Sequence, residues 1–354
     1  MRRLLMVLLL VALSVVVVRG QVPCDVLPAQ PTCDVLLLPG PTEDTLDIVA
    51  IDGERTFDSA GQLRLTTVAV DSDLDLLEWV QGMFSSVTDV VDREAIYPPG
   101  QSEEDVAEQN DLLMESSQID ATVAGLVAAG YEASELYVGA RVVEVTEDAA
   151  EGADQLVSGD VVVGIDGVEV ANATEAVDEV ATKSPGDTVT LTLADGDELD
   201  LVAAAHPEDP DRALLGILLQ DEVDLPFEVE IDAGNIGGPS AGLMFALGIV
   251  DLLGEEDLTG GATIAGTGTI TVDGRVGAIG GIRQKVVGAT SPRDEDDEPA
   301  TAFLVPQGNF AEARTAAVAS DVLLVPVATI DEAVAALEAL ARGEDPVGAV
   351  ALGP

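Results

Sequence analysis

A serine placed between a strand and an apolar helix is the first residue of this sequence that could do chemistry. Ser240 ends a glycine-rich loop that follows a predicted strand over 227–231 and precedes a predicted apolar helix over 243–253. Amides at a helix N-terminus, with Gly237 and Gly238 allowing close backbone approach, favour a developing negative charge at such a position. Taken alone, the same pattern is equally typical of an ordinary helix N-cap.

A serine nucleophile needs a base, and lysine is the best candidate in this chain. The 354 residues include only two lysines, Lys183 and Lys285, and one histidine, His206. A buried lysine can lose its proton, whereas arginine stays charged, so a lysine kept in a lysine-poor chain indicates a general base at Lys285. The alternative is an ordinary surface lysine, which is our interpretation of Lys183 beside a Pro-Gly turn. His206 lies in a polar run typical of an exposed linker, which argues against a Ser-His-Asp triad.

Three motifs in the C-terminal half resemble the proteolytic domain of Lon proteases. They are Gly-Pro-Ser-Ala-Gly, then Ala-Gly-Thr-Gly-Thr-Ile-Thr at 265–271, then Gly-Gly-Ile-Arg-Gln-Lys at 280–285. The resemblance implies that Ser240 is the nucleophile, that Lys285 is the base and that Thr267 supports the lysine.

The expected oxyanion site of this domain uses backbone amides near the serine, at Gly237, Gly238 and Ala241. The sequence departs from the family at two positions: Gly237 stands where many Lon enzymes carry Asp, and Arg283 stands where they carry a first lysine. Neither departure removes the serine or the lysine, although loss of the acid alters the charge of the cleft.

The middle of the chain resembles a PDZ domain of the bacterial kind. The resemblance rests on the turn Ser-Gly-Asp at 158–160, the hairpin Ile-Asp-Gly at 165–167 and the turn Ser-Pro-Gly-Asp at 184–187. It implies binding of an extended peptide, often a C-terminus, by strand addition between a strand and a helix. Residues 136–139 are a weak candidate for the loop that holds a peptide carboxylate. The alternative is a rigid spacer domain without a ligand.

Together the motifs predict an α/β (α+β) Lon-type proteolytic domain interrupted by an inserted, mainly β PDZ domain and preceded by a transmembrane helix. Helices are predicted over 74–84 and 103–129. The predicted segments are an N-terminal anchor at 1–20, the first part of the protease domain at 40–129, the PDZ domain at 130–205, and the second part of the protease domain at 206–345.

The N-terminus is typical of a signal sequence or signal anchor. Arg2 and Arg3 precede an uncharged apolar run over 4–18, and no clear cleavage site follows. We expect an uncleaved single-pass membrane anchor with the bulk of the chain outside the cytoplasm. A cleaved signal sequence is the alternative. In an oxidising compartment Cys24 and Cys33 would close a short disulfide loop; two free thiols are the alternative.

The charge balance excludes some functions. Asp and Glu number 66 against 15 Lys and Arg, for a net charge of −51. Such a chain is a poor ligand for nucleic acid or an anionic membrane surface, because both need cations. The acidic residues are spread along the chain, which we interpret as adaptation of a halophilic protein to high salt.

No cofactor is expected. The sequence has no G-x-x-x-x-G-K-[ST] motif, so we expect no Lon-type ATPase module and an ATP-independent serine endopeptidase. Two cysteines cannot form a four-ligand zinc site. The expected partners are protein or peptide substrates, peptide ends at the PDZ domain, the membrane and, by family resemblance, other copies in a homo-oligomeric ring, possible as a hexamer. The alternative function is a catalytically inactive PDZ adaptor of the cell envelope.

Overall fold

The computed structural model describes residues 31–132, 137–146, 149–206, 209–291, 298–317 and 320–350. Unit 1 joins the residues up to Ala129 to those from Glu230 onward, and unit 2 spans Gly130–Val229. Unit 2 begins at the residue where the PDZ segment was predicted to begin, but it continues beyond the predicted end at 205. The reason is a late strand at 217–223, which pairs into its sheet.

The elements are numbered here in chain order. The strands are β1 Asp34–Asp44, β2 Val49–Asp52, β3 Gln62–Asp71, β4 Asp89–Asp92, β5 Tyr137–Val145, β6 Val161–Ile165, β7 Val168–Glu169, β8 Thr188–Leu193, β9 Glu198–Val202, β10 Ala204–Ala205, β11 Ala213–Leu214, β12 Ile217–Val223, β13 Glu228–Ile231, β14 Thr263–Gly266, β15 Thr269–Ile270, β16 Val276–Gly277, β17 Ala302–Pro306 and β18 Leu323–Val327. The α-helices are α1 Thr45–Ile48, α2 Leu76–Met83, α3 Glu103–Ala128, α4 Ala173–Ala181, α5 Gly242–Leu253, α6 Ile282–Thr290, α7 Phe310–Ala316, α8 Ile330–Ala341 and α9 Pro346–Val350.

Unit 1 is built on a six-stranded mixed sheet in the order β18-β17-β14-β3-β1-β4. The neighbours from β18 to β3 are parallel, whereas β1 is antiparallel to both β3 and β4. Ile264 and Leu304 belong to the core that contains α5, while Ala265 and Phe303 belong to the core that contains α6. Because adjacent strand residues point to opposite faces, the sheet is covered by helices on both sides. This arrangement confirms the predicted mixed α/β structure.

The helix that follows Ser240 lies in the centre of unit 1. Every residue of α5 from Gly242 to Asp251 is buried, as expected for a helix that is apolar all round. The middle of α3 packs against it through residues such as Met114 and Ala121. α3 begins at a capping box formed by Ser102 and Asp105. A helix from the first part of the chain therefore supports the serine-bearing segment from the second part.

Unit 2 is a small β domain with one main helix. Its main sheet has the order β12-β5-β6-β8-β9, with β7 paired to β6. α4 begins at Asn172, whose side chain accepts from the Glu175 amide, and Ala176 is its buried residue. Among the described strands, β12 pairs with β5 alone, so it forms an edge of this sheet.

Two predictions about the N-terminus concern residues that the structure does not describe. The predicted anchor at 1–20 and Cys24 both lie outside the described residues. Cys33 is buried, and its sulfur is part of a disulfide. Among the helices that the structure describes, none has the length and apolar character needed to span a bilayer.

Candidate active site

A short turn presents Ser240 at the start of α5. Residues Pro239–Ala241 form a 3-10 turn that continues into the helix, and Gly238 before it has a φ of 82°, a conformation that favours glycine. Two hydrogen bonds connect α3 to this loop. The Ser117 hydroxyl donates to the Pro239 carbonyl at 3.1 Å, and the Gly238 amide donates to the Asn110 carbonyl at 2.9 Å. Ser240 itself is half-buried and lines a cleft.

Lys285 projects from the first turns of α6. The helix begins after Gly281, whose φ of 66° lies in the left-handed region. The two residues before the lysine are tied to β4: Arg283 and Gln284 each donate to a different oxygen of the Asp89 carboxylate, at 2.6 and 2.7 Å. These contacts fix the rotation of α6 and therefore the direction in which Lys285 points.

The Lys285 ammonium or amine nitrogen lies within hydrogen-bonding distance of three oxygens. Nζ is 2.7 Å from Ser240 Oγ, 3.0 Å from Thr267 Oγ1 and 2.8 Å from the Thr66 carbonyl oxygen. Thr267 directly follows β14, and Thr66 comes one residue after the last β3–β14 pair. Two of the three contacts of Lys285 therefore come from residues that lie just beyond the paired part of the parallel strands β3 and β14.

The donor and the acceptor of each Lys285 hydrogen bond follow from the chemistry of the groups involved. The Thr66 carbonyl can only accept. The Thr267 hydroxyl donates its hydrogen to the Ser240 carbonyl at 2.9 Å, so its oxygen accepts from Nζ. A neutral amine has two N–H bonds and one lone pair. With both N–H bonds engaged by the threonines, the lone pair is directed at the Ser240 hydroxyl.

The surroundings of Lys285 favour the neutral amine. The side chain is buried, with a relative exposure of 3%. Burial lowers its pKa from 10.5 to about 7, because the charged form loses its hydration. A substantial fraction of Lys285 is then unprotonated near neutral pH and able to accept a proton.

A cleft opens next to the serine. It is lined by Pro41, Thr66, Thr67, Val68, Asn235, Ile236, Gly237, Ser240, Ala241, Gly280 and Lys285. Among these described residues Lys285 alone carries an ionisable side chain, although the chain as a whole is strongly acidic. A peptide segment can therefore approach Ser240 without meeting a carboxylate on the lining.

The predicted oxyanion amides do not all remain available. The Gly238 amide is committed to the Asn110 carbonyl, so Gly238 is corrected to a structural residue of the loop. Gly237 and Ala241 both line the cleft beside Ser240. This difference could not be predicted, because a sequence does not show which amides already have a partner.

The other two basic candidates lie in unit 2. Lys183 forms ion pairs with Asp166 at 2.7 Å and Glu179 at 2.8 Å. Its hydrogen bond to Asp166 raises its pKa, the opposite of Lys285. Lys183 is therefore an ion-paired lysine that is not among the residues lining the cleft at Ser240. His206 is half-buried near the end of β10 and is not among the residues that line the cleft.

Unit 2 has a groove of its own, between α4 and β12. The floor is apolar and includes Val162, Ile165 and Leu191, and Val177 and Val180 form the helix side. The strand side is the segment from Arg212 to Leu219. Because β12 is an edge strand, its outer edge faces this groove and can pair with an added strand.

The expected position of the carboxylate loop is corrected by this groove. Leu136 lies outside the described residues, and Tyr137 to Gly139 begin β5, away from the groove. The turn that closes the groove is instead at Leu214 to Ile217. Gly216 in this turn has a φ of 67°, and an added Cβ would lie 2.5 Å from the Ala149 Cα. Only glycine fits there, which is a signal in the sequence that the analysis did not use.

Comparison with known proteins gives two family matches within the chain. Residues 111–204 match a PDZ domain, and residues 222–338 match the Lon protease (S16) C-terminal proteolytic domain. The second match includes Ser240, Thr267 and Lys285. No curated protein matches the chain.

Several solved structures are similar to part of this chain, and PDZ domains are among them. The PDZ domain of an SdrC-like protein from Listeria monocytogenes is 30% identical over 23% of this chain and 88% of its own length, with a TM-score of 0.21. The corresponding domain from Listeria innocua is 28% identical over 23% and 92%, also with a TM-score of 0.21. A structure from Geobacillus thermodenitrificans is 26% identical over 23% and 97%, with a TM-score of 0.21.

The class of domains follows from these findings: one part of the chain matches a serine peptidase domain and another part matches a PDZ domain, a type that binds peptides. With both the PDZ domain and the Lon S16 proteolytic domain present, the chain matches a PDZ-containing Lon-like protease.

Proposed function

We propose that this protein is an ATP-independent serine endopeptidase that uses a dyad of Ser240 and Lys285. The observation that carries the proposal is the 2.7 Å contact between the Ser240 hydroxyl and the nitrogen of a buried lysine whose pKa is lowered to about 7. A positioned base with a pKa near the working pH is the most effective kind. The absence of a G-x-x-x-x-G-K-[ST] motif from the sequence supports hydrolysis without ATP.

The reaction begins when Lys285 removes the proton of Ser240. The serine oxygen forms a bond to the peptide carbonyl carbon, and the carbonyl becomes a tetrahedral oxyanion. Protonated Lys285 then gives its proton to the leaving amine as the peptide bond breaks. In the second half a water molecule loses its proton to Lys285 and attacks the acyl-enzyme. Protonated Lys285 then returns the proton to the serine oxygen as the ester bond breaks, which releases the acid product and restores the serine and the neutral lysine.

Two groups assist these steps without exchanging protons with the substrate. Thr66 and Thr267 accept the N–H bonds of Lys285 and so keep its lone pair on the serine. The amides of Gly237 and Ala241, which line the cleft beside the serine, are the candidates to bind the oxyanion.

The groove of unit 2 supplies peptide recognition. An extended peptide would pair with the free edge of β12 and place apolar side chains against Val177 and Val180 on α4. The PDZ domain thereby binds peptide ends and either presents substrates to the peptidase or senses them.

The remaining parts of the proposal concern location and assembly. The apolar run over 4–18, flanked by Arg2, Arg3 and Arg19, supports a single-pass anchor with the catalytic unit on the extracytoplasmic side. The resemblance to Lon proteases supports a homo-oligomeric ring.

The pH dependence of hydrolysis tests the proposed dyad. The free base is the protonation state that works, so kcat/KM is expected to rise about tenfold per pH unit below the pKa of Lys285 and to level off above about 7. The measurement is the rate of cleavage of an uncharged peptide without ATP between pH 5 and 9, at constant high salt. A profile that stays flat between pH 5 and 7, or hydrolysis that requires ATP, would contradict the proposal.

A charge placed in the groove of unit 2 is expected to remove peptide binding. Val177→Glu puts a carboxylate where an apolar peptide side chain would lie, so affinity should fall at least tenfold. The matched control is Val168→Glu in the same unit, because Val168 is 49% exposed against 48% for Val177 and lies outside the groove. Binding of a peptide with an apolar, free C-terminus is measured by calorimetry. Equal affinities of the two variants would show that the groove is not the peptide site.

A further inference from the structure

Helix α2 exposes its apolar face instead of burying it. Phe84 at its C-terminus is 84% exposed and Leu77 is 63% exposed, and three further apolar residues of the segment are exposed: Leu76, Val80 and Met83. At 3.6 residues per turn these five side chains fall within an arc of about 120°. A contiguous apolar surface of this kind on a soluble unit indicates an interaction site.

The opposite face of α2 attaches the helix firmly to unit 1. Gly82 is buried, and a Cβ there would lie 2.6 Å from Leu36 and 2.8 Å from Val90. The Trp79 indole donates to the Asp34 carboxylate at 2.8 Å, and Asp75 and Glu78 form a capping box at the first turn. The outward direction of the apolar face is therefore built into the packing of the helix against β1 and β4.

We propose that this apolar face of α2 rests in the interfacial layer of a lipid bilayer, beside the N-terminal anchor. The inference rests on the anchor of the proposed function and adds a second membrane contact to it. An amphipathic helix lying in the plane of a membrane presents such a face to the lipid, with its acidic and polar side chains left in water.

The course of the chain favours lipid as the occupant. Asp34, which holds Trp79, is the first residue of β1 and follows the apolar run over 4–18 by only 16 positions. Cys33 is disulfide-bonded, and Cys24 is the other cysteine of the chain. If these two pair, the covalent path from Val18 to Cys33 spans six residues and one bridge, or about 30 Å at most. An anchor in the bilayer would then keep α2 close to the membrane surface.

The charges near α2 define the kind of lipid. Asp71, Asp73, Asp75 and Glu78 lie before and within the first turn of α2, so an anionic headgroup layer is repelled. The structure therefore favours a zwitterionic surface, with contact made by apolar insertion and maintained in high salt.

The chain contains a single tryptophan, Trp79, and it lies on this helix. The full chain is reconstituted in phosphatidylcholine vesicles with and without brominated acyl chains, at molar salt. We expect brominated lipid to quench at least half of the Trp79 fluorescence. In Leu77→Ser/Phe84→Ser the quenching should fall severalfold, while flotation with the vesicles and hydrolysis of a soluble peptide are retained. Leu323→Ser, an exposed residue of β18, is the control and should behave as wild type.

Each other outcome overturns the proposal in a distinguishable way. A chain that floats with vesicles but shows no quenching of Trp79 retains its anchor and lacks the α2 contact. A chain that does not float with the vesicles lacks both the membrane anchor and the α2 contact, whatever its peptidase activity. Quenching that is unchanged in the double variant shows that the apolar face is not what holds α2 at the bilayer. Self-association that is lost in the double variant, without lipid quenching in wild type, assigns the face to a second copy. A melting curve of the double variant confirms that it is folded.

Discussion

Ser240→Ala is expected to abolish peptide hydrolysis and leave the fold intact. The hydroxyl is the only atom of the residue that the proposed chemistry uses, and its loss removes the bond-forming oxygen. The main-chain contacts that hold the turn stay in place, because Thr267 and Gly268 both donate to the Ser240 carbonyl and not to the side chain. Cleavage of a peptide substrate by the purified variant should fall to the background rate, with an unchanged melting temperature.

Reaction with a serine-directed phosphonate separates a peptidase from an inactive PDZ adaptor. Wild type should be labelled at Ser240 and the alanine variant should not. The control is Ser117→Ala, which removes a neighbouring hydroxyl that supports the turn and is not expected to prevent labelling. Full activity of a Ser240→Ala sample that is free of contaminating protease would contradict the proposed nucleophile. An unlabelled wild type without peptidase activity would favour the adaptor.

Lys285→Arg is expected to lower kcat/KM by about 10² to 10⁴, the range typical of losing a general base. Arginine keeps the positive charge and the hydrogen-bond donors but cannot give up its proton. Lys285→Met is the companion variant, because it has a similar length and fits a buried site. Methionine removes the cost of burying an ionisable group, so this variant should melt no lower than wild type while losing activity equally.

Lys183→Arg is the matched control for the lysine variants. An arginine at this position can keep the ion pairs to Asp166 and Glu179, and we expect less than a twofold change in hydrolysis. The measurement is the cleavage rate of one peptide by all variants under the same salt. Equal losses in Lys183→Arg and Lys285→Arg would remove the argument that the chain retains Lys285 for its chemistry.

Local patterns were sufficient to predict much of unit 1. The helix predicted over 243–253 is observed as Gly242–Leu253, and the one predicted over 103–129 is observed as Glu103–Ala128. The first follows from a continuous apolar run, and the second follows from a helical apolar stripe preceded by the capping residue Ser102; both are properties of neighbouring residues. The choice of Ser240 and Lys285 depended on residue type and chain-wide lysine scarcity, which the sequence also displays.

The partners of these side chains required the tertiary structure. Lys285 and Thr66 are 219 positions apart and meet because β3 and β14 stop pairing just before Thr66. Asp89 orients α6 from a strand that the sequence analysis did not connect with it. Gly238 was predicted to bind the oxyanion, yet its amide is already used by Asn110.

The sequence by itself determined which side chains can react and which domain types the chain contains, since both depend on residue identity and short-range spacing. The tertiary structure decided which main-chain groups remain available, which strand forms the edge of the groove in unit 2, and that the apolar face of α2 points outward. The helix predicted over 74–84 is present, but the same amphipathic pattern fits either orientation. The outward direction of the apolar face is set by the close contact of Gly82 with Leu36 on β1 and Val90 on β4. Contacts between a helix and separate strands are not visible in a local sequence pattern.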